Sequence, residues 1–175
     1  AITRSKDMEL RRALFFRIND MNCEFRTINE TDVSQDYVNG LRIQTEYIEN
    51  IPAEVSISKQ KKYIKNVLSS EGNTICGLFI NGVLVGTSGV QSSTTFVQYI
   101  DAPAEYVSTI GIFVFNSSYR GKGLGKTLVW AATYLYHKCT SAVWFGAGMS
   151  IDNISSANSF ISCGYRIVRD NEENY

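Results

Sequence analysis

The chain has 175 residues, 44% of them hydrophobic, and 17 Lys plus Arg balance 17 Asp plus Glu. That length and apolar content suit one domain with its own core, and the even charge excludes a general nucleic-acid or membrane-surface binder, which carries a basic excess. No run of about 18 apolar residues exists, so no membrane span is expected, and four scattered cysteines with one histidine exclude a zinc site of the usual spacing.

The opening "AITRSKDMELRRALFFRIND" has only four consecutive apolar residues and mixes acids with bases, a poor secretory signal. Residues 1–22 are read as an N-terminal extension, with Met8 a candidate native start, and the folded domain is expected over 23–175. The cysteines sit among apolar neighbours and read as free thiols of a reducing, cytoplasmic compartment. "CEFRTI" (23–28) alternates like a strand, and "NETD" offers a capped start to a short helix, "DVSQDYVNGL". "SISKQKKYIKNVLSSEG" predicts a second helix, with Ser58 as candidate cap and Tyr63, Ile64, Val67 and Leu68 at helical spacing.

"TICGLFI" and "VLVGTSGV" flank Asn81-Gly82, the residue pair that a tight hairpin turn demands. "EYVSTIGIFVF" (105–115) is apolar on both sides and predicts a strand inside the sheet. "GKTLVWAATYLYHK" reads as a helix burying Leu128, Ala131, Ala132 and Leu135, with His137 near its end. "SAVWFGA" (141–147) predicts a buried strand, "DNISSANSFISCGY" a capped helix stopped by Gly164, and "YRIVR" (165–169) a last strand. The fold class expected is α/β, a mixed sheet in one domain.

Between that long strand and the helix after it lies "YRGKGLGKT" (119–127), three glycines and three cations in nine positions. A nucleotide P-loop requires glycine at 120, where Arg120 stands, and the dinucleotide fingerprint fails at Lys126 or Leu128. The spacing that fits is Arg-x-x-Gly-x-Gly, as Arg120, Gly123 and Gly125. Glycines let a backbone approach phosphate, and the N–H groups and dipole of a helix start attract it.

This motif resembles the phosphate-binding loop of the GCN5-related N-acetyltransferases, the GNAT superfamily. A second segment, "NISSANSFISCGY" (153–165), places Asn153, Ser156, Gly164 and Tyr165 in register with the family's Asn segment. The resemblance runs from about 23 to 169, and "FRTINETDVSQDYVNGL" is similar to the branch with ribosomal-protein and sugar-amine acetyltransferases. It implies a mostly antiparallel sheet splayed at the fourth strand, with about four helices, and acetyl-CoA as the cofactor.

It also implies direct attack by an amine on the thioester, with no acyl-enzyme and no metal. Arg120, Gly121, Lys122, Gly123, Leu124, Gly125, Lys126 and Thr127 would cradle the pyrophosphate. Main-chain groups of Phe113 and Phe115 would bond the pantetheine arm, and an N–H of Val114 or Phe115 would face the thioester oxygen. Asn153, Ser156 and Phe160 would approach from the other side. Many relatives carry a tyrosine acid where Phe160 stands, so Ser159 or water would serve the thiolate, or it would leave unassisted. Relatives often carry a glutamate base where Thr109 stands; Glu105, Glu46 and Glu49 are the substitutes. Glu46, Tyr47 and Glu49 also suit a hydroxylated acceptor.

The expected activity is acetyl transfer to a primary amine of a small molecule or sugar. A protein N-terminus, or a non-catalytic CoA-binding module, is the alternative. A homodimer is left open, and neither nucleic acid nor membrane is an expected partner.

Overall fold

The computed structural model describes residues 12–43, 55–92 and 96–168. Asn81 and Gly82 take φ values of 48° and 82°, and the turn they make joins β3 (Asn73–Ile80) to β4 (Val83–Ser92). With β1 (Leu14–Ile18), β2 (Met21–Thr27), β5 (Val107–Val114) and β6 (Trp144–Gly146) they form one six-stranded sheet in chain order. Every neighbour is antiparallel except β5 and β6, which are parallel.

Among the described residues four α-helices cover the sheet: α1 (Gln35–Ile43), α2 (Ile57–Ser69), α3 (Leu124–Cys139) and α4 (Ile154–Ile161). Because strand side chains alternate, the sheet feeds two cores. Phe25, Leu78, Ile80 and Ile110 meet Leu124, Leu128, Ala131, Ala132 and Leu135 of α3 and Phe160 of α4. Ile28, Ile75, Phe79 and Phe115 meet Tyr37 and Val38 of α1 and Ile64 of α2 on the opposite side. The α3 positions recur at helical spacing, so one stripe is dry while Trp130 and Tyr134 face outward.

The structure departs from the sequence expectations in several places. Residues 14–18, expected in the N-terminal extension, form β1: Leu14, Phe16 and Ile18 pack on the first core, while Phe15 is exposed. Asn19, at φ 51°, turns the chain into β2. "NETD" makes a capping box, but the box closes a 3-10 turn over Glu30–Asp32; α1 starts later, where Ser34 Oγ accepts the Tyr37 N–H. Ser56, not Ser58, caps α2 by accepting the Lys59 N–H.

The strand expected over 141–147 shrinks to three residues with Trp144 exposed, since β6 pairs with β5 over only three positions. Residues 165–168 form no strand, and Arg169 lies outside the described residues. Tyr165 is drawn instead to Phe160 and Thr133, leaving Ile167 and Val168 in solvent.

Arg26 ties β2 to the turn before α1 through two hydrogen bonds to Asp32, at 2.8 and 2.9 Å. Burial disfavours the Asp32 carboxylate, but Arg26 and the Asn29 N–H outweigh it and hold its pKa below the ordinary value. A depressed carboxylate pKa stabilises the fold above the unfolded-state value, and that stability disappears as pH falls through the folded pKa. Asp32→Asn should therefore cost about 1.5–3 kcal/mol at neutral pH. In denaturation followed against pH, the gap between the two proteins should close below about pH 4.

Candidate active site

Strand β5 pairs with β6 through Val107, Ser108 and Thr109 only. From Ile110 to Val114 no described strand adjoins it on that side, so part of its edge is free. This is the splay expected at the fourth strand, now β5 because β1 precedes it.

The free edge runs into the glycine loop. Asn116 accepts the Ser118 N–H at 3.1 Å and opens a short turn over Ser117–Tyr119. Gly121 and Gly123 follow with φ of 72° and 76°. A Cβ on either would meet nothing within 4 Å, so backbone conformation rather than space calls for glycine here.

Gly123 precedes α3 and supplies no side-chain cap. The Thr127 N–H and its hydroxyl both donate to Gly123 O, at 3.2 and 3.3 Å. Thr127 therefore locks the helix start. The N–H groups of Leu124, Gly125 and Lys126 have no intrahelical acceptor, and the positive end of the helix dipole lies with them.

The first turn of α3 has no acidic residue. Arg120, Lys122 and Lys126 are exposed, and no described carboxylate pairs with them. Lys122 Nζ lies 5.3 Å from the Tyr119 ring centroid. Orphan N–H donors, an unopposed dipole and three cations fit a diphosphate group.

Gly125 has a different reason to be glycine. A Cβ there would lie 2.5 Å from Ser159 Oγ and 3.6 Å from Ile112 Cδ1, so β5, α3 and α4 converge at this point. The Ser159 hydroxyl donates to Ser155 O at 3.0 Å, and the Cys163 thiol donates to Lys126 O at 3.4 Å. Asn153 caps α4, its Oδ1 accepting the Ser156 N–H at 3.2 Å. The structure thus brings Ser159 beside the loop, and Asn153 and Ser156 to the adjoining helix start.

Phe160 is 4% exposed and meets Tyr165 edge-on, with ring centroids 5.0 Å apart. Its side chain is core. Burial pushes the Tyr165 hydroxyl up to about 12, and Thr133 Oγ1 holds it at 2.8 Å.

On the opposite face, the Phe115 ring meets those of Phe113 and Tyr37 at a tilt, with centroids 5.7 and 4.9 Å apart. Both phenylalanine rings are thus engaged in packing on that face. Burial pushes Tyr37 up to about 12, and Gln60 Nε2 donates to its oxygen at 3.2 Å. This pair was not anticipated, because the contact crosses 23 residues and Tyr37 shows in sequence only as an apolar helix position.

Among the described residues, acid–base groups near the β5 edge are sparse. The Ser108 and Thr109 hydroxyls are buried without a hydrogen-bond partner, and neither β4 nor β5 carries an acidic side chain. Glu105 lies in the turn Ala104–Tyr106, at the far end of β5 from the loop. It stands eight positions from Phe113, roughly 25 Å along an extended strand, and is not brought to the cradle. Glu46, Tyr47 and Glu49 lie outside the described residues.

The sequence pattern of the acetyltransferase (GNAT) family matches residues 41–165. A comparison with curated proteins finds no match. Among solved structures, Mycobacterium smegmatis RimJ in complex with CoA-disulfide superposes with a TM-score of 0.71 at 13% identity, over 88% of this chain and 75% of that one. YncA, a putative acetyltransferase from Salmonella typhimurium with acetyl-CoA, gives 0.63 at 19% identity, over 82% and 79%. Glucosamine-6-phosphate N-acetyltransferase from Arabidopsis thaliana gives 0.60 at 19%, over 87% and 97%.

Identities this low establish the shared fold, while the family match covers most of the chain and includes both the glycine loop and the Asn segment. The chain belongs to the GNAT acetyltransferase family and is an N-acetyltransferase with acetyl-CoA as its cofactor.

Proposed function

We propose that this acetyltransferase acylates the primary amine of a small molecule or sugar by direct transfer. The observation that carries the donor side is the continuity of the free β5 edge with the uncapped, cation-lined start of α3. Acetyl-CoA supplies an activated acyl group whose thiolate is a good leaving group.

Arg120, Lys122 and Lys126, with the N–H groups of Leu124 to Lys126, hold the diphosphate. Backbone groups of Phe113 to Phe115 align the arm along β5, where one N–H receives the negative charge that develops on oxygen. Asn153 and Ser156 bound the cofactor from the start of α4. Ser159 presents a hydroxyl beside Gly125. The buried ring of Phe160 supplies only packing, so protonation of the thiolate falls to Ser159 or water.

A small acceptor is supported by the plant glucosamine-6-phosphate enzyme of the same fold and by a charge balance that offers no broad macromolecular surface. Glu46, Tyr47 and Glu49 are assigned to the acceptor side by their place in the sequence. Thiol release with a panel of amines tests the reading. Preference for peptide N-termini would move the assignment to protein acetylation.

Arg120→Ala should weaken coenzyme A by about tenfold or more, the worth of charge-assisted bonds to phosphate. Calorimetry with pantetheine should show no such loss; equal losses for both ligands would remove Arg120 from the diphosphate. Gly125→Val should lower stability by about 1–3 kcal/mol through overpacking against Ser159. It should also weaken acetyl-CoA. An unchanged denaturation midpoint with unchanged affinity would contradict the close approach of α3 and α4.

A further inference from the structure

Ser88 of β4 is fully buried, and its hydroxyl donates to Gly111 O on β5 at 3.0 Å. In the register Ser88 stands opposite Ile112, and Gly89 opposite Gly111. A side chain on β4 reaches that oxygen only if the Gly111 carbonyl points toward β4. A second contact agrees: a Cβ on Gly86 would lie 2.8 Å from Phe113 O, two residues along β5. Backbone groups of an antiparallel strand face its two neighbours in alternation. Gly111 and Phe113 thus turn toward β4, while Ile112 and Val114 turn their N–H groups to the side where no described strand adjoins.

The Gly111 carbonyl and the Ile112 N–H belong to one peptide group, so what holds the first aims the second. This peptide lies just past Thr109 and Gly146, the last pair between β5 and β6, and its open side has lost the ladder that would orient it. Glycine at 111, facing glycine at 89, adds no side chain to steady the plane. The Ser88 hydroxyl supplies that restraint from the closed side. It also adds an acceptor bond to the carbonyl, and linked hydrogen bonds polarise one another by about 10–30% each. On the same face the buried Thr74 and Ser108 hydroxyls have no hydrogen-bond partner, so the fold does not satisfy every buried hydroxyl there. The next peptide along, Phe113–Val114, gets no such bond, because Gly86 beneath it has no side chain.

We propose that Ser88 is a positioning residue for acetyl transfer: its hydroxyl fixes and polarises the Gly111–Ile112 peptide, making the Ile112 N–H the group that faces the thioester oxygen. This deepens the acetyl-donor reading above, on which it rests, and puts Ile112 where the sequence expectation had Val114 or Phe115. The arm runs from the glycine loop back along β5, so its acyl end lies past Val114. Ile112 is two residues farther, about 7 Å along the strand. A donor held in place before charge develops costs no reorganisation when the oxygen becomes negative. Ser88 itself touches no ligand. It lies on the sheet face that bears α3, with Val90 and Ile110, and acts through the peptide alone.

The test compares the wild-type protein with Ser88→Ala, Ser88→Thr and, as a control for a lost buried hydroxyl, Thr74→Val. In the ligand-free protein, the Ile112 amide nitrogen resonance should move upfield in Ser88→Ala and stay in place in the other two. With carbonyl-labelled acetyl-CoA bound, the thioester infrared band should lie at lower frequency in the wild type than in Ser88→Ala. Thiol release with the fastest amine of the panel should show kcat reduced about three- to tenfold in Ser88→Ala, short of the about 10²–10³-fold that losing a whole oxyanion donor costs. The acceptor KM and the acetyl-CoA Kd should be nearly unchanged, and Ser88→Thr should restore kcat. A lower melting temperature with kcat, resonance and band unaltered makes Ser88 a core residue only and overturns the proposal. Weaker acetyl-CoA binding with kcat retained overturns it too, and either result leaves the acetyl-donor reading standing. Failure of the wild-type protein to bind acetyl-CoA overturns that reading and this inference with it.

Discussion

The site depends on one constraint: β5 loses its partner after Thr109. Backbone N–H and C=O groups inside a sheet are normally paired, and an unpaired stretch is tolerated only where water or a ligand completes it. β6 is three residues long, and the Phe96 ring sits on its last residue, Gly146. The unpaired edge beyond is then delivered, five residues after Phe115, to Arg120 and the glycine loop.

The same geometry aligns the electrostatics. α3 starts where the loop ends, so its dipole and its unpaired N–H groups fall beside the cations rather than at a distance from them. Three cations in seven positions repel one another, and nothing in the first turn of α3 neutralises them. The stability that offsets this comes from the stripe of α3 from Leu124 to Leu135, which is nearly dry against the sheet. A cluster of like charge is held by an ordinary hydrophobic contact on the opposite side of the same helix.

The two faces of the sheet are used differently. Under α3 and α4 the core is continuous from Phe25 to Ile110. On the other face, Tyr37 and Phe115 close one end of β5, while Gly89 and Gly111 stay exposed. Ser88, buried between the faces, bonds Gly111 from below.

Local chemistry determined a large part of this protein. Asn81-Gly82 can hardly do other than turn, Leu128, Ala131, Ala132 and Leu135 recur at a helix period, and the spacing from Arg120 to Gly125 matches the family's glycine loop without a partner element being known. What needed the tertiary structure were choices between locally equal options. The alternation in 14–18 became a strand because β2 lay beside it. That in 165–168 did not, because Tyr165 found Phe160 and Thr133 instead. "NETD" satisfied its own capping box and still left α1 to Ser34. Phe160 matches the family's acid in register, yet its burial is set by α3 and Tyr165; Gly125 reads as a phosphate glycine, yet Ser159, 34 residues away, also requires it. Periodicity and turn chemistry act over a few residues and are written in sequence, whereas strand partners, close approaches and burial are set by segments that only folding brings together.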